Sequence, residues 1–412
     1  MPNKNLPSDR DLRCFYLAYE EAMDKYISQK AKDITKSQTL AISAKAKKLK
    51  ANGVDVISFT AGEPDCRTPE YICEAAKAAI DRGFTKYTPS SGKDKLRKRI
   101  AEKLSEENGL SYDYKQIIVS NGAKHSLFNA LYALINDGDE VIIPAPYWLT
   151  YPELVKICGG KSVFVETKAE NGFKITAEEL ENAITEKTKV LILNTPNNPT
   201  GAVYSKEEIY SLAKILEKHE VFCISDEIYE KLCYVEKPVS IATYGEKMKE
   251  LTIVVNGLSK SYAMTGWRVG YLAANKEIAE VIDCVQSHMT SNVNSIAQEA
   301  SYVAFSRTDD VERLCKVYEK RRDYMYNRLS AMKGVKPIRP DGAFYMFVNV
   351  KDLYNDEVKN SFDFCHKLLE YKVAAIPGAP FGNDGYIRLS FAVSDEDIKV
   401  GLDRIAQMVN DL

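Results

Sequence analysis

The sequence predicts an α/β protein: a large domain on a mainly parallel, seven-stranded sheet, with a smaller α+β domain beside it. Three observations carry that expectation. The 412 residues exceed what a single core normally supports. Between Ile117 and Lys276, short β-branched runs alternate with helical patterns. Beyond that stretch, strands and helices follow one another in a mixed order typical of α+β folds.

The strand candidates are IIVS (117–120), EVIIPA (140–145), SVFVET (162–167), VLILNT (190–195), FCISDE (222–227), TIVVNG (252–257) and GYLAAN (270–275). Continuous apolar runs suit strands covered on both faces, as in a parallel sheet flanked by helices. Segments 205–219 and 276–288 carry helical periodicity and would supply connections. A long helical pattern runs from about 294 to 332, with a break expected within it. It leads into AFYMFVNV (343–350), a helix around 361–371, YIRLSF (386–391) and a closing helix from 394. Residues 27–70 are expected to join 320–412 as the small domain, leaving 71–319 as the large one. Residues 1–26 form an N-terminal extension, amphipathic from Leu12 to Tyr26.

Composition narrows the function. With 56 basic and 58 acidic residues and a net charge of -2, nothing electrostatic favours nucleic acid or an anionic membrane as partner. No apolar run approaches the roughly 20 residues that span a bilayer. The first 26 residues lack the apolar core of a signal peptide, so a cytoplasmic location is expected. Nine cysteines without a CxxC pair suggest a reducing compartment and mostly buried thiols. The four histidines, His125, His219, His288 and His366, have no metal-ligand spacing, so neither a metal site nor a histidine triad is expected.

Ligands of open α/β sheets bind beyond the carboxyl ends of the strands, and four strand ends here carry informative residues. TIVVNG runs into SKSYAMTGWRVGY (259–271), with Lys260 just past the strand and Arg268 eight residues on. A lone lysine is usually a solvated charge. At a strand end near a fixed cation, its pKa can fall far enough for imine formation with an aldehyde. Arg268 offers a planar, permanently charged fork suited to phosphate. FCISDEIYEKL (222–232) ends a strand on Asp226, which could equally cap the following helix. NTPNNPTGAVY (194–204) is a dense turn after a buried strand. SNGAKHSLFNAL (120–131) opens a helix with small residues, where backbone N–H groups suit an anion.

Taken together, NGLSKSYAMTGWRVG and these turns resemble the class I/II aminotransferases, in particular the bacterial aspartate aminotransferase branch, over about residues 27–410. The resemblance implies fold type I and pyridoxal 5'-phosphate as cofactor. It implies that Lys260 carries the cofactor and moves the proton, that Asp226 pairs with the ring nitrogen, and that Tyr229 and Asn198 bind the phenolic oxygen. Gly122, Ala123, Lys124 and Arg268 would hold the phosphate, and Trp148 would stack on the ring, although an aromatic there could be plain core. Gly257 stands where many members place a phosphate-binding serine, and Ser259 could take that role.

For substrates, an L-amino acid and a 2-oxo acid, the resemblance assigns Gly62 a backbone N–H near the carboxylate. It assigns Arg388 a bidentate grip on the α-carboxylate. An arginine in an apolar strand is costly unless paired, and a structural ion pair is the alternative. Tyr87 would reach the neighbouring subunit's phosphate, implying a homodimer with composite sites. Aspartate with 2-oxoglutarate is the expected pair, with Lys124 on the distal carboxylate. Where some relatives supply a side-chain-binding arginine, this chain has Ser291 and Asn292. An aromatic or prephenate aminotransferase is the alternative, then a carbon–sulfur lyase. A ligand-sensing regulator would need a DNA-binding domain, for which 26 residues are too few.

Overall fold

The computed structural model describes residues 25–35 and 38–412. The chain packs as two units, 1–36 and 37–412. Of the first, Lys25–Thr35 is described and holds one helical turn, Gln29–Lys32, capped by Ser28. The expected amphipathic stretch from Leu12 lies almost wholly outside the described residues.

The second unit is organised by a seven-stranded sheet of β1 (Ile117–Ser120), β2 (Glu140–Ala145), β3 (Lys161–Glu166), β4 (Thr188–Asn194), β5 (Phe222–Asp226), β6 (Thr252–Gly257) and β7 (Gly270–Ala273). Their order is β1-β7-β6-β5-β4-β2-β3. All pairings are parallel except those of β7, which runs antiparallel to β6 and β1. The carboxyl ends of β1, β4, β5 and β6 therefore open on the same edge of the sheet.

Local chemistry explains the helices between them. Lys206–His219 starts on a capping box of Ser205 and Glu208, which satisfies two orphan N–H groups. Lys276–Met289 is capped by Asn275. The long pattern expected over 294–332 is two helices, Ser295–Ala304 and Asp309–Ser330, separated at 305–308. Asp309, Asp310 and Glu312 in the first turn of the second suit the positive end of its dipole.

Two expectations need correction. The run SVFVET was read as covered on both faces, but β3 is the edge strand and alternates between exposed and half-buried residues. The thiols were expected to be mostly buried, yet among the eight described only Cys223 and Cys365 are. All eight are free.

Beyond the large sheet, Ile376–Pro377, Tyr386–Ser390, Tyr345–Asn349 and Lys336–Ile338 form an antiparallel sheet in that order. Ile57–Ser58 pairs in parallel with Val373–Ala374, bringing the start of this unit against its end. Phe59, Phe344, Phe364 and Phe391 are fully buried in the shared core. Burial of such rings is worth about 1.5–3 kcal/mol each. Among the described residues, no helix is long and apolar enough to cross a membrane.

Candidate active site

The opened strand ends face Tyr345 and Arg388 of the antiparallel sheet across a cavity of about 410 Å³. Of the residues singled out from sequence, Gly62, Ala123, Lys124, Trp148, Asn198, Asp226, Tyr229, Ser259, Lys260, Arg268 and Arg388 line it. Gly122 adjoins it through Arg268. Tyr87 is not in it: the side chain is 89% exposed on the loop before helix Asp94–Asn108.

Lys260 follows β6 and donates from Nζ to the Gly62 carbonyl. Burial draws its ammonium down to about 8, with Arg388 and Arg268 acting in the same sense against Glu63. Gly62 thus contributes its carbonyl here, to the lysine. Asp226, at the end of β5, is 2% exposed. Its Oδ2 accepts from the Tyr151 hydroxyl at 2.8 Å and its Oδ1 from the Ile228 N–H at 3.2 Å. Burial nevertheless raises its carboxyl to about 6. A buried acid without a cationic hydrogen-bond partner is suited to a protonated ligand atom.

Tyr229 is buried three residues beyond Asp226, and its hydroxyl lies 3.0 Å from that of Tyr345. Asn198 ties the β4 turn to the antiparallel sheet. Its N–H donates to Asn194 Oδ1 at 2.9 Å, and its Oδ1 accepts from Arg388 Nη1 at 3.0 Å. Asn197 instead closes the turn, its Oδ1 accepting from the N–H and hydroxyl of Thr200.

Arg388 decides between a ligand and an internal ion pair. It is 5% exposed, and its guanidinium carbon stands 4.1 Å from the Tyr345 ring centroid. Nη2 reaches the Thr60 carbonyl at 3.4 Å, while Nε is buried without a partner. Among the described residues, no carboxylate pairs with it. Stacking and carbonyls hold the guanidinium in place but leave its charge uncompensated.

Arg268 ends the short turn Thr265–Trp267 just before β7, in the left-handed region at φ 55°, and donates to the carbonyls of Thr265 (3.0 Å) and Asn121 (3.5 Å). Gly122 precedes helix Ala123–Leu134 at φ 85°, and a Cβ there would stand 2.5 Å from Arg268 Nη2. A Cβ at Gly270 would collide with the Ala123 backbone. Both glycines are therefore required for the guanidinium to meet the helix N-terminus, a pairing that suits a phosphate. Lys124, on that helix, lies 4.9 Å from the Trp148 ring centroid. Its pKa is lowered by burial and by Arg268.

Sequence reasoning missed Tyr151 and Tyr345. Tyr151 stands in the first turn of helix Thr150–Ile157, its N–H donates to the Trp148 carbonyl at 2.9 Å, and the two rings meet edge-on with 5.4 Å between centroids. Tyr345 is 116 residues from Tyr229 and only the fold joins them.

The chain belongs to the aminotransferases of class I and II, whose family model matches residues 54–405. Its architecture is that of fold type I transferases. It is 46% identical to an aspartate aminotransferase of Bacillus sp. (strain YM-2), over 94% of this chain and 100% of that one. It is 42% identical to an aspartate/prephenate aminotransferase of Thermus thermophilus, over 93% and 98% respectively. The crystal structure of the aspartate aminotransferase from Rhizobium meliloti superposes with a TM-score of 0.90 at 41% identity, covering 93% of this chain and 98% of that one. That of the Thermus thermophilus aspartate aminotransferase with maleate gives 0.89 at 41%, covering 93% and 99%.

Proposed function

We propose that this protein is a pyridoxal 5'-phosphate-dependent aminotransferase that moves the amino group of L-aspartate to 2-oxoglutarate. One observation carries the reading. The cavity is lined by four cations, Lys124, Lys260, Arg268 and Arg388, against two carboxylates, Glu63 and Asp226. Such an excess in a partly closed space calls for anionic ligands. A phosphate at Arg268, an α-carboxylate at Arg388 and a distal carboxylate at Lys124 would supply them.

The residues fit the cofactor as well. Gly122 leaves room for Arg268 beside the helix N-terminus, and Asp226 is a buried acid that has no cation at hydrogen-bond distance among the described residues. Pyridoxal phosphate supplies an aldehyde that condenses with amines and a ring that delocalises the electron pair freed at Cα. The rest falls to the chain. Arg388 orients the substrate by its α-carboxylate. Lys260, whose pKa lies near 8, would take the Cα proton on Nζ and deliver it to the former aldehyde carbon of the cofactor, two atoms away. Asp226 keeps a proton on the ring nitrogen, and Tyr229 and Asn198 donate to the phenolic oxygen. Ser259 and Trp148 complete the binding of phosphate and ring.

We extend the proposal to a homodimer in which Tyr87 of one copy completes the phosphate site of the other. The exposure of that side chain outside its own cavity supports this, as does an open depression on the other side of Arg268, lined by Thr68, Asn121, Trp267 and Asn294. The expected division into domains 27–70 with 320–412, and 71–319, stays part of the proposal, as does the cytoplasmic location.

Relatives named aspartate/prephenate aminotransferase favour a second reading, with prephenate as a further substrate. Prephenate also carries a second carboxylate, so Lys124 suits both. The deciding experiment is a panel of amino donors against 2-oxoglutarate, followed by prephenate as acceptor. Aspartate should give the highest kcat/KM among donors. A preference for phenylalanine or tyrosine would replace the reading with the aromatic one, and ammonia release without an oxo acid would replace it with the lyase.

A further inference from the structure

Tyr87 stands on a loop, 84–93, that is fastened from below at several points while its side chain is 89% exposed. Gln298, 1% exposed on helix Ser295–Ala304, makes two of its three hydrogen bonds to this loop. Its Nε2 donates to Thr88 Oγ1 at 3.0 Å and to the Val293 carbonyl at 2.8 Å, and its Oε1 accepts from the Lys93 N–H at 2.8 Å. Gln286, also buried, donates to the Ser90 carbonyl at 2.7 Å and the Val119 carbonyl at 2.8 Å. Ser295 Oγ donates to the Phe84 carbonyl at 2.9 Å. The Val119 N–H of the edge strand β1 donates to the Ser91 carbonyl at 2.9 Å. Gly92, at φ 98°, permits that approach: a Cβ would stand 2.8 Å from Val119 Cγ2.

Exposed loops are ordinarily mobile. This one is held by buried amides whose groups could not lose their partners without an unsatisfied polar atom in the core. Rigidity of that kind lowers the ordering cost of binding. Helix Ser295–Ala304 also bears Ala297, which with its cap residue Asn294 lines the depression beside Arg268. Projecting ring and receiving groove thus share one support and lie on the same copy, as both halves of an isologous contact must.

We propose that Gln298, acting through Thr88, is a positioning residue that presents Tyr87 preformed to the phosphate site of a second copy. The inference rests on the composite-site reading above. Thr88→Val tests it at limited cost to the fold, because the shape is kept and Gln298 retains the Val293 carbonyl and the Lys93 N–H. The holoenzyme of this variant should release cofactor on dilution about fivefold faster, followed by the absorbance of the lysine-bound form; fivefold is roughly 1 kcal/mol at about 1.4 kcal/mol per tenfold. Thr88→Ser should restore the rate.

The decisive readout comes from hybrid dimers with Lys260→Ala, isolated through two different tags. In them the only site with a lysine receives an unaltered loop, so its release rate should return to that of the wild type. Release as fast as in the Thr88→Val homodimer would mean that the change acts within its own subunit, which overturns the inference. So would wild-type release from the homodimer. Tyr87→Ala paired with Lys260→Ala is the control. If that hybrid also fails to recover, the composite site itself is refuted; if it alone recovers, only the role of Gln298 and Thr88 is.

Discussion

Replacing Asp226 with asparagine should make the cofactor-free chain more stable while making the loaded enzyme far slower. Burial raises the Asp226 carboxyl from its ordinary 3.8 to about 6. A carboxyl whose folded pKa lies above its unfolded one binds more protons in the folded state between those values. Stability therefore falls as pH rises through that window, and the cost is fully present above about 6 and absent below 3.8. The rise corresponds to roughly 3 kcal/mol at neutral pH. Asparagine removes this charge but has one acceptor oxygen for two donors, the Tyr151 hydroxyl and the Ile228 N–H, a loss of about 1 kcal/mol. The net expectation is a gain of about 2 kcal/mol at pH 8, shrinking as pH falls through the window. Denaturant unfolding of the apo chain at pH 8 and pH 4.5 measures it. The loaded variant cannot hold the ring nitrogen's proton, and kcat should fall by about a hundredfold or more, since breaking a buried charge pair costs about 3–5 kcal/mol. An apo variant less stable than wild type at pH 8, or a difference that ignores pH, would refute the electrostatic account of Asp226.

Three further expectations follow from the same geometry. Borohydride reduction of the yellow holoenzyme should fix the cofactor to the Lys260 peptide, and cofactor uptake by the apo chain should quicken as pH rises through about 8, where Lys260 loses its proton; a label on another lysine ends the central assignment. Lys124→Ala should lower kcat/KM for aspartate at least about tenfold, within the roughly 2–5 kcal/mol of a truncated charge pair, with little change for phenylalanine; equal losses would assign Lys124 to the cofactor instead. Gly122→Ala, strained at φ 85° and pressing on Arg268, should weaken cofactor affinity by about tenfold or more; equilibrium titration with unchanged affinity would remove Arg268 from the phosphate site.

The large sheet was legible because its strands are continuous apolar runs, and the candidate residues because they stand where those runs end. What the runs could not say is which strand closes the sheet: SVFVET reads like its neighbours but forms the edge as β3. The break at 305–308 was expected only somewhere within the long helical pattern, since nothing in the periodicity fixes its position. Tyr345 and Tyr151 escaped notice for a different reason. Each is an aromatic in an apolar stretch, and its polar end acquires meaning only from Tyr229 and Asp226, brought near by the fold. Gln286 and Gln298 are harder still, because glutamine on a helix ordinarily faces solvent. Arg388 was the reverse case: its charge inside YIRLSFA marked it at once, and the lack of a carboxylate partner among the described residues favours the ligand reading over an ion pair.

That separation can be made general within this molecule. Lys103 and Glu230 are also buried charges, but they meet each other directly, and Asn108 bonds to both. The fold therefore can neutralise a buried charge where no ligand is to come, and does so a few residues from Asp226. In the cavity it does the opposite. Among the described residues, Arg388 is held by a ring, the Asn198 amide oxygen and the Thr60 carbonyl, Lys124 shares the space with Arg268, and Asp226 is met by a hydroxyl and a backbone N–H. Each arrangement fixes a charge in position and leaves it without a counter-charge at hydrogen-bond distance, at a cost to the free chain. Charges so placed gain most when a ligand of opposite sign arrives, because the geometry needs no further ordering. Under the proposed function, a phosphate, two carboxylates and a protonated ring nitrogen would answer Arg268, Arg388, Lys124 and Asp226 in turn, and an amino-acid substrate with a single carboxylate would leave Lys124 unanswered.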